Sequence, residues 1–139
     1  MELVAMITVM ILIQVLFFGV QVGKARSKYN VQAPAVSGNE IFERHYRIHQ
    51  NTIEQIVIFI PSLWMFGYYV SENIGAALGL LFLIGRFVFR SAYLNDPGSR
   101  ALGFIMGILP IIVCLLGALF FFARKNFNLT IYINVIIKI

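Results

Sequence analysis

Cysteine, acid and charge of either sign are scarce in this chain of 139 residues. Its single cysteine, Cys114, excludes an internal disulfide and leaves no second thiol for a Cys-based metal motif. Charged residues make up 12% of the chain and hydrophobic ones 60%, whereas a soluble domain carries roughly a quarter of its residues as charges. With the long apolar runs, that deficit excludes an ordinary soluble globule and points to an integral membrane protein. Lys and Arg outnumber Asp and Glu by 11 to 6, for a net charge of +5. No basic stripe interleaved with aromatic residues accompanies the excess, so it reads as charge flanking membrane spans and not as a nucleic-acid footprint. The length leaves room for one compact domain. The N-terminus lacks the basic start and small-residue cleavage site of a signal peptide, so its apolar run reads as a span.

A span needs about 20 mostly apolar residues. Four segments are expected to qualify, at about 3–22, 41–70, 74–94 and 100–123, giving an all-α up-down-up-down four-helix bundle over residues 1–126. Pro34, Ser37, Gly38 and Asn39 mark the first loop, and Asn95-Asp96-Pro97-Gly98-Ser99 is a strong turn signal before the last span. Pro61 is expected to kink the second helix. Residues 127–139, rich in β-branched side chains, read as a separate tail of uncertain structure containing an Asn128-Leu129-Thr130 sequon. Lys24, Arg26, Lys28, Arg44 and Arg47 flank the first loop, and Arg90 and Arg100 flank the third, whereas the second has no Lys or Arg. Loops one and three are therefore expected on the cytoplasmic side. Trp64, Tyr68 and Tyr69 read as an aromatic belt at the far interface.

The second helix opens on a dense polar run, Glu43 to Glu54. At 100° per residue, Arg44, Arg47, Asn51 and Glu54 fall within about 80° of one another, and on the third helix Arg86, Phe89, Arg90 and Tyr93 fall within about 100°. Two polar stripes at the same end of the bundle face one site. Charge in a membrane helix costs roughly 2.5–3.5 kcal/mol per group, so Arg47, Glu54 and Arg86 unpaired would cost about 8–10 kcal/mol together. Mutual pairing would offset that cost and merely fix helix register. It leaves a surplus of basic groups, which an anionic ligand would neutralise. His45 and His49 stand four apart, the spacing of a helical metal pair, but no third ligand accompanies them and no metal is expected. There is no Ser-His-Asp arrangement, phosphate loop or Cys-His pair.

Phe42-Glu43-Arg44, then Arg47, His49, Asn51, Glu54 and Pro61, with Gly85-Arg86 and Tyr93 followed seven residues on by Arg100, resemble the signature of the membrane-associated proteins in eicosanoid and glutathione metabolism. The resemblance covers about residues 3–123 and implies a homotrimer with glutathione, the co-substrate, bound between neighbouring subunits near the cytoplasmic surface. It implies that Arg47 and Arg26 bind a glutathione carboxylate and that His49 and Asn51 hydrogen-bond the peptide. Glu54 and Tyr93 would hold the γ-glutamyl end, Arg86 would belong to the same binding site, and Arg100 would stand beside the sulfur as the catalytic group. The leukotriene synthase branch has tyrosines where this chain has Gln55 and Phe89, and the prostaglandin branch has serine where Ala101 follows Arg100. A mixed pattern implies a general glutathione transferase or peroxidase acting on an apolar electrophile or lipid hydroperoxide. The alternative is a non-catalytic lipid-binding or scaffold protein of the same fold; a small transporter has weaker support. The expected location is a bacterial inner membrane, or the endoplasmic reticulum in a eukaryote.

Overall fold

Apolar sequence surrounded by lipid or by other apolar side chains must satisfy its own backbone, and the helix does so within one segment. A computed structural model describes the backbone of residues 1–137 and the side chains of residues 1–126. Four helices follow one another: α1 (Glu2–Lys28), α2 (Glu40–Tyr69), α3 (Glu72–Asn95) and α4 (Ala101–Ile137), with a short 3₁₀ turn at Pro97–Arg100 before α4. No strand occurs among the described residues.

The helix starts have identifiable causes. Asn39 begins α2 by accepting hydrogen bonds from the N–H groups of Ile41 (3.0 Å) and Phe42 (3.2 Å), which satisfies donors that a helix start leaves free. Ser71 accepts from Ile74 N–H at 3.4 Å before α3. Asp96 accepts from Gly98 N–H at 2.9 Å and so shapes the 3₁₀ turn. Arg26 and Lys28 occupy the last turn of α1, where cations favour the negative end of the helix dipole. That placement carries α1 six residues past its expected end at 22.

Three helical segments, Glu2–Lys28, Glu72–Asn95 and Pro97–Asn126, are long and apolar enough to cross a membrane. Helix α2 is not among these three, and Glu40, Glu43, Arg44, Arg47 and Glu54 stand in its first half. Pro61 lies inside α2. The tail is not separate, since α4 continues to Ile137. β-Branched residues lower helix propensity by less than about 0.7 kcal/mol each, little beside the hydrogen bonds lost by stopping early, about 1 kcal/mol apiece. The sequon's side chains lie outside the described residues.

The core joins Val4, Ile7 and Ile11 of α1 to Phe59, Leu63 and Phe66 of α2, Phe82 and Leu83 of α3, and Ile111 and Cys114 of α4. Phe59 and Phe82 stack with centroids 4.3 Å apart. Towards the charged end, Phe18, Ile48 and Phe89 form a second cluster, and Ala25, Val31 and Phe42 a third. Apolar burial drives helices together weakly inside a membrane, so close backbone approach through small residues matters more. The tightest approach is at Gly103 of α4, where an added Cβ would lie 2.2 Å from the backbone nitrogen of Phe89 on α3.

Gly103→Ala is therefore expected to lower stability by about 1–3 kcal/mol or more, the usual cost of overpacking. Gly23→Ala, whose added methyl meets nothing within 4 Å, should be neutral or stabilise by up to about 1 kcal/mol, because helical Gly costs entropy. Thermal melts followed by circular dichroism compare the two.

Candidate functional site

The site is organised around a charge that contacts no solvent. Arg86 of α3 is fully buried. Its Nε and Nη2 donate to Thr52 Oγ1 at 3.2 and 2.9 Å, Nη2 also to Asn51 Oδ1 at 3.1 Å, and Nη1 to Gln55 Oε1 at 3.3 Å. The guanidinium also lies 4.2 Å from the centre of the Phe89 ring. All of its polar partners are neutral groups on α2. Thr52 in turn donates to the Ile48 carbonyl at 2.7 Å, leaving its oxygen lone pairs to accept from Arg86. Gly107 of α4 closes the far side, where a Cβ would lie 2.8 Å from Gln55 Oε1.

This tie orients Asn51. With Oδ1 turned to Arg86, the amide nitrogen points along α2 and lies 3.5 Å from Glu54 Oε2. Beside it is a cavity of about 300 Å³ lined by Arg47 and Asn51 of α2, Phe89 and Tyr93 of α3, Arg100 at the end of the 3₁₀ turn, and Phe104 of α4. Tyr93 stacks on Phe89 at 5.4 Å and carries the Arg100 guanidinium 5.6 Å over its own ring. Arg100 Nη1 donates to the Pro97 carbonyl at 2.8 Å. A wider hollow of about 390 Å³ adjoins the cavity, shares Arg47 and Tyr93 with it, and continues to Glu40, Glu43 and Arg44.

Electrostatically the cavity is one-sided. Among the described residues the one ion pair between two side chains is Arg44 with Glu40. Arg44 also donates to the Leu94 carbonyl at 2.7 Å, which ties the start of α2 to the end of α3. Arg47 and Arg100 thus face one cavity with no carboxylate in salt-bridge range. Two guanidinium forks with free donors are suited to carboxylates or a thiolate. Phe89 and Phe104 supply apolar wall, and Phe104 and Leu102 are exposed on the surface of α4.

The expected residues therefore divide. Arg47, Asn51, Tyr93 and Arg100 share the cavity, and Glu54 is exposed beside Asn51. Arg86 lines neither hollow, and all three of its guanidinium nitrogens donate to side chains of α2. Arg90 of the same stripe turns away, 5.6 Å over Phe17 of α1. His49 points about 140–160° away from Arg47, Asn51 and Glu54 around α2 and packs on Gly19 of α1, where a Cβ would lie 3.3 Å from its Nε2. Arg26 donates to the carbonyls of Val31 (3.1 Å) and Ala35 (2.9 Å) and lies 4.7 Å over Phe42. Both lie outside the cavity of their own chain. Among the described residues no three His, Cys, Asp or Glu side chains come together as a metal site.

Thr52 and Gln55 were missed as partners of Arg86. The signal for them was available: polar residues at 52 and 55 lie on one face of α2, within its apolar-going half, opposite a helix that carries an otherwise unpaired arginine.

The profile of the MAPEG family matches residues 4–120. This chain belongs to the MAPEG family. It is 41% identical over 119 residues to microsomal glutathione S-transferase 2 of Homo sapiens, covering 84% of this chain and 80% of that one. It is 40% identical over 115 residues to an uncharacterized protein of Synechocystis sp., covering 83% and 84%. Against leukotriene C4 synthase of Cavia porcellus it is 33% identical over 98 residues, covering 70% and 65%. Membership in this family, with three helices able to cross a bilayer, makes the chain an integral membrane protein.

Thr52→Val keeps the shape of the side chain but removes the acceptor for two Arg86 nitrogens. Hydrogen bonds to a charged group contribute about 1.5–3 kcal/mol each, so a loss of at least about 2 kcal/mol is expected, read as a lowered melting temperature or midpoint of denaturant unfolding.

Proposed function

We propose that this MAPEG protein is a membrane-embedded glutathione-dependent transferase, with peroxidase activity towards lipid hydroperoxides as a second outcome of the same thiolate. The observation that carries this reading is the pair Arg47 and Arg100 facing one cavity without carboxylate partners, beside an apolar wall at Phe104. The name of the human relative, a microsomal glutathione S-transferase, supports glutathione as the anion. Four helices in up-down-up-down order would then each cross the bilayer, α2 included. Its charged half would lie at the cytoplasmic surface of a bacterial inner membrane, or of the endoplasmic reticulum in a eukaryote.

In this reading Arg47 binds a glutathione carboxylate, Asn51 donates its amide N–H to the peptide, Glu54 takes the γ-glutamyl ammonium, and Tyr93 holds that end. Arg86 positions Asn51 and does not touch the ligand. Arg26 and His49, which face away from the cavity of their own chain, complete the cavity of a neighbouring copy in a homotrimer. A chain that carries two half-sites on different faces is suited to such a ring.

Arg100 acts on sulfur. A free thiol has a pKa near 8.5, so only a few per cent is thiolate at neutral pH. A guanidinium next to the sulfur favours the anion, and a drop of about two units makes thiolate the majority form. The thiolate then forms a C–S bond with an apolar electrophile, displacing its leaving group. With a hydroperoxide, sulfur takes the distal oxygen and the alcohol departs; a second glutathione completes the disulfide and releases water. No metal takes part in either route.

Bound glutathione should show thiolate ultraviolet absorption at neutral pH. Arg100→Ala should remove it while calorimetric binding persists. The sign in a pH profile follows: with a depressed thiol pKa, conjugation of a chlorodinitrobenzene-type electrophile is flat around neutrality. In Arg100→Ala it should climb about tenfold per pH unit up to the free-thiol pKa near 8.5. Unchanged activity in that variant would remove Arg100 from the chemistry. Absent glutathione binding with clear fatty-acid binding would instead establish a non-catalytic lipid-binding protein of this fold.

A further inference from the structure

On the other side of the molecule, α1 and α3 enclose a second groove that plays no part in the thiol chemistry. Its apolar part, about 350 Å³, is walled by Met10, Ile13, Phe17, Leu83 and Phe87. Gln14 also lines it, but its amide nitrogen turns towards the helices and donates to the Leu83 carbonyl at 2.9 Å. Met10, Ile13, Phe17 and Phe87 are 41–59% exposed, so the groove opens sideways.

Further along α1 the surface reverses in character. Gln21, Lys24, Lys28, Tyr29 and His45 surround a hollow of about 180 Å³, with Lys28 Nζ 5.3 Å from the centre of the Tyr29 ring. Arg90 joins the two parts. Its guanidinium lies 5.6 Å over the ring of Phe17, which walls the apolar part, and within electrostatic reach of His45 in the basic part. Among the described residues no carboxylate is in salt-bridge range of Lys24, Lys28 or Arg90. Phe17 and Lys24 are seven residues apart, about 10 Å along the helix axis.

We propose that this groove is a binding site for an anionic glycerophospholipid, with an acyl chain along Ile13, Phe17 and Phe87 and the phosphate held by Lys24, Lys28 and Arg90. The charges match a phosphate, and the apolar stretch below them matches the chain attached to it. A free phosphate would leave the apolar part empty, and a zwitterionic lipid would bring a cation of its own beside three others. The groove is also clear of the face used by the other half-site. Gly19 and Arg26 point within about 20° of each other around α1, whereas Lys24 and Lys28 lie about 140–180° from Gly19. A neighbouring copy covering the first pair leaves the groove facing lipid. The site stands whether or not glutathione binds.

The full chain, released from bilayer discs containing equal phosphatidylglycerol and phosphatidylcholine, is examined by native mass spectrometry for retained lipid. Phosphatidylglycerol should be retained in preference. Lys24→Ala, Lys28→Ala and Arg90→Gln should each reduce that preference about fivefold, the usual effect of one basic group at an anionic membrane surface. Ile13→Trp, which fills the apolar part without changing charge, should reduce retention as well, and glycerol phosphate should not compete. Equal retention of the two lipids overturns the proposal, as does a preference indifferent to the basic residues. Full retention by Ile13→Trp would mean attraction to a positive surface alone, and competition by glycerol phosphate would mean a simple phosphate site. Either defeats the lipid assignment. If Arg90→Gln melts early, the exposed Lys24 and Lys28 decide the outcome.

Discussion

A guanidinium buried in the middle of a helix bundle has to be satisfied completely, and most of the architecture around the cavity follows from how Arg86 achieves this. It finds no carboxylate. Thr52, Gln55 and Asn51 share its donors, the Phe89 ring covers it, and Gly107 lets α4 close over the pair it makes with Gln55. Each neutral partner has a strong reason to stay in place, because leaving a buried cation short of acceptors costs several kcal/mol. The tie therefore fixes how α2 faces α3, and with it the direction in which Asn51 offers its amide. Keeping the partners neutral also leaves Arg47 and Arg100, a turn or more away, as the charges that decide what the cavity attracts.

Much of this was legible in the residues. Apolar runs located three crossing helices, and Asn95 to Ser99 announced the last turn, because turn chemistry is local. The stripe of Arg47, Asn51 and Glu54 followed from helical angle alone. Helix α2 was less legible: its second half is apolar, while five charges crowd its first half. The tail misled for a related reason, since β-branched composition is a weak preference that an established helix overrides. Arg86 is the instructive case. Its angle on α3 placed it with Tyr93, but angle says nothing of depth, and Arg86 is fully buried against α2. Likewise His49 and Asn51 are two apart in sequence and on nearly opposite sides of α2, so proximity in a motif did not mean proximity in one cavity.

The two faces of α1 have different tasks in this arrangement. Gly19 makes room for the ring of His49, and Arg26 braces the loop at Val31 and Ala35. The opposite side carries Phe17, Lys24 and Lys28 and opens sideways beside α3. A helix that is apolar nearly all round along most of its length gains its specificity from such small departures, a glycine on one side and a line of cations on the other.

Arg100 differs from every other group in the cavity in where it is mounted. Arg47, Asn51 and Tyr93 sit on long helices locked by core packing, whereas Arg100 closes a four-residue 3₁₀ turn and is held by the Pro97 carbonyl within that turn. On the proposed reading, the group that acts on sulfur is thus mounted on a short turn and the groups that recognise the anion on long helices. The turn is tied back to α3, where the Ala92 carbonyl accepts from Asp96 N–H at 2.8 Å and from Ser99 Oγ at 3.4 Å. On that reading, substitutions in the four-residue turn bear first on the position of Arg100, and those in α2 and α3 on Arg47, Asn51 and Tyr93.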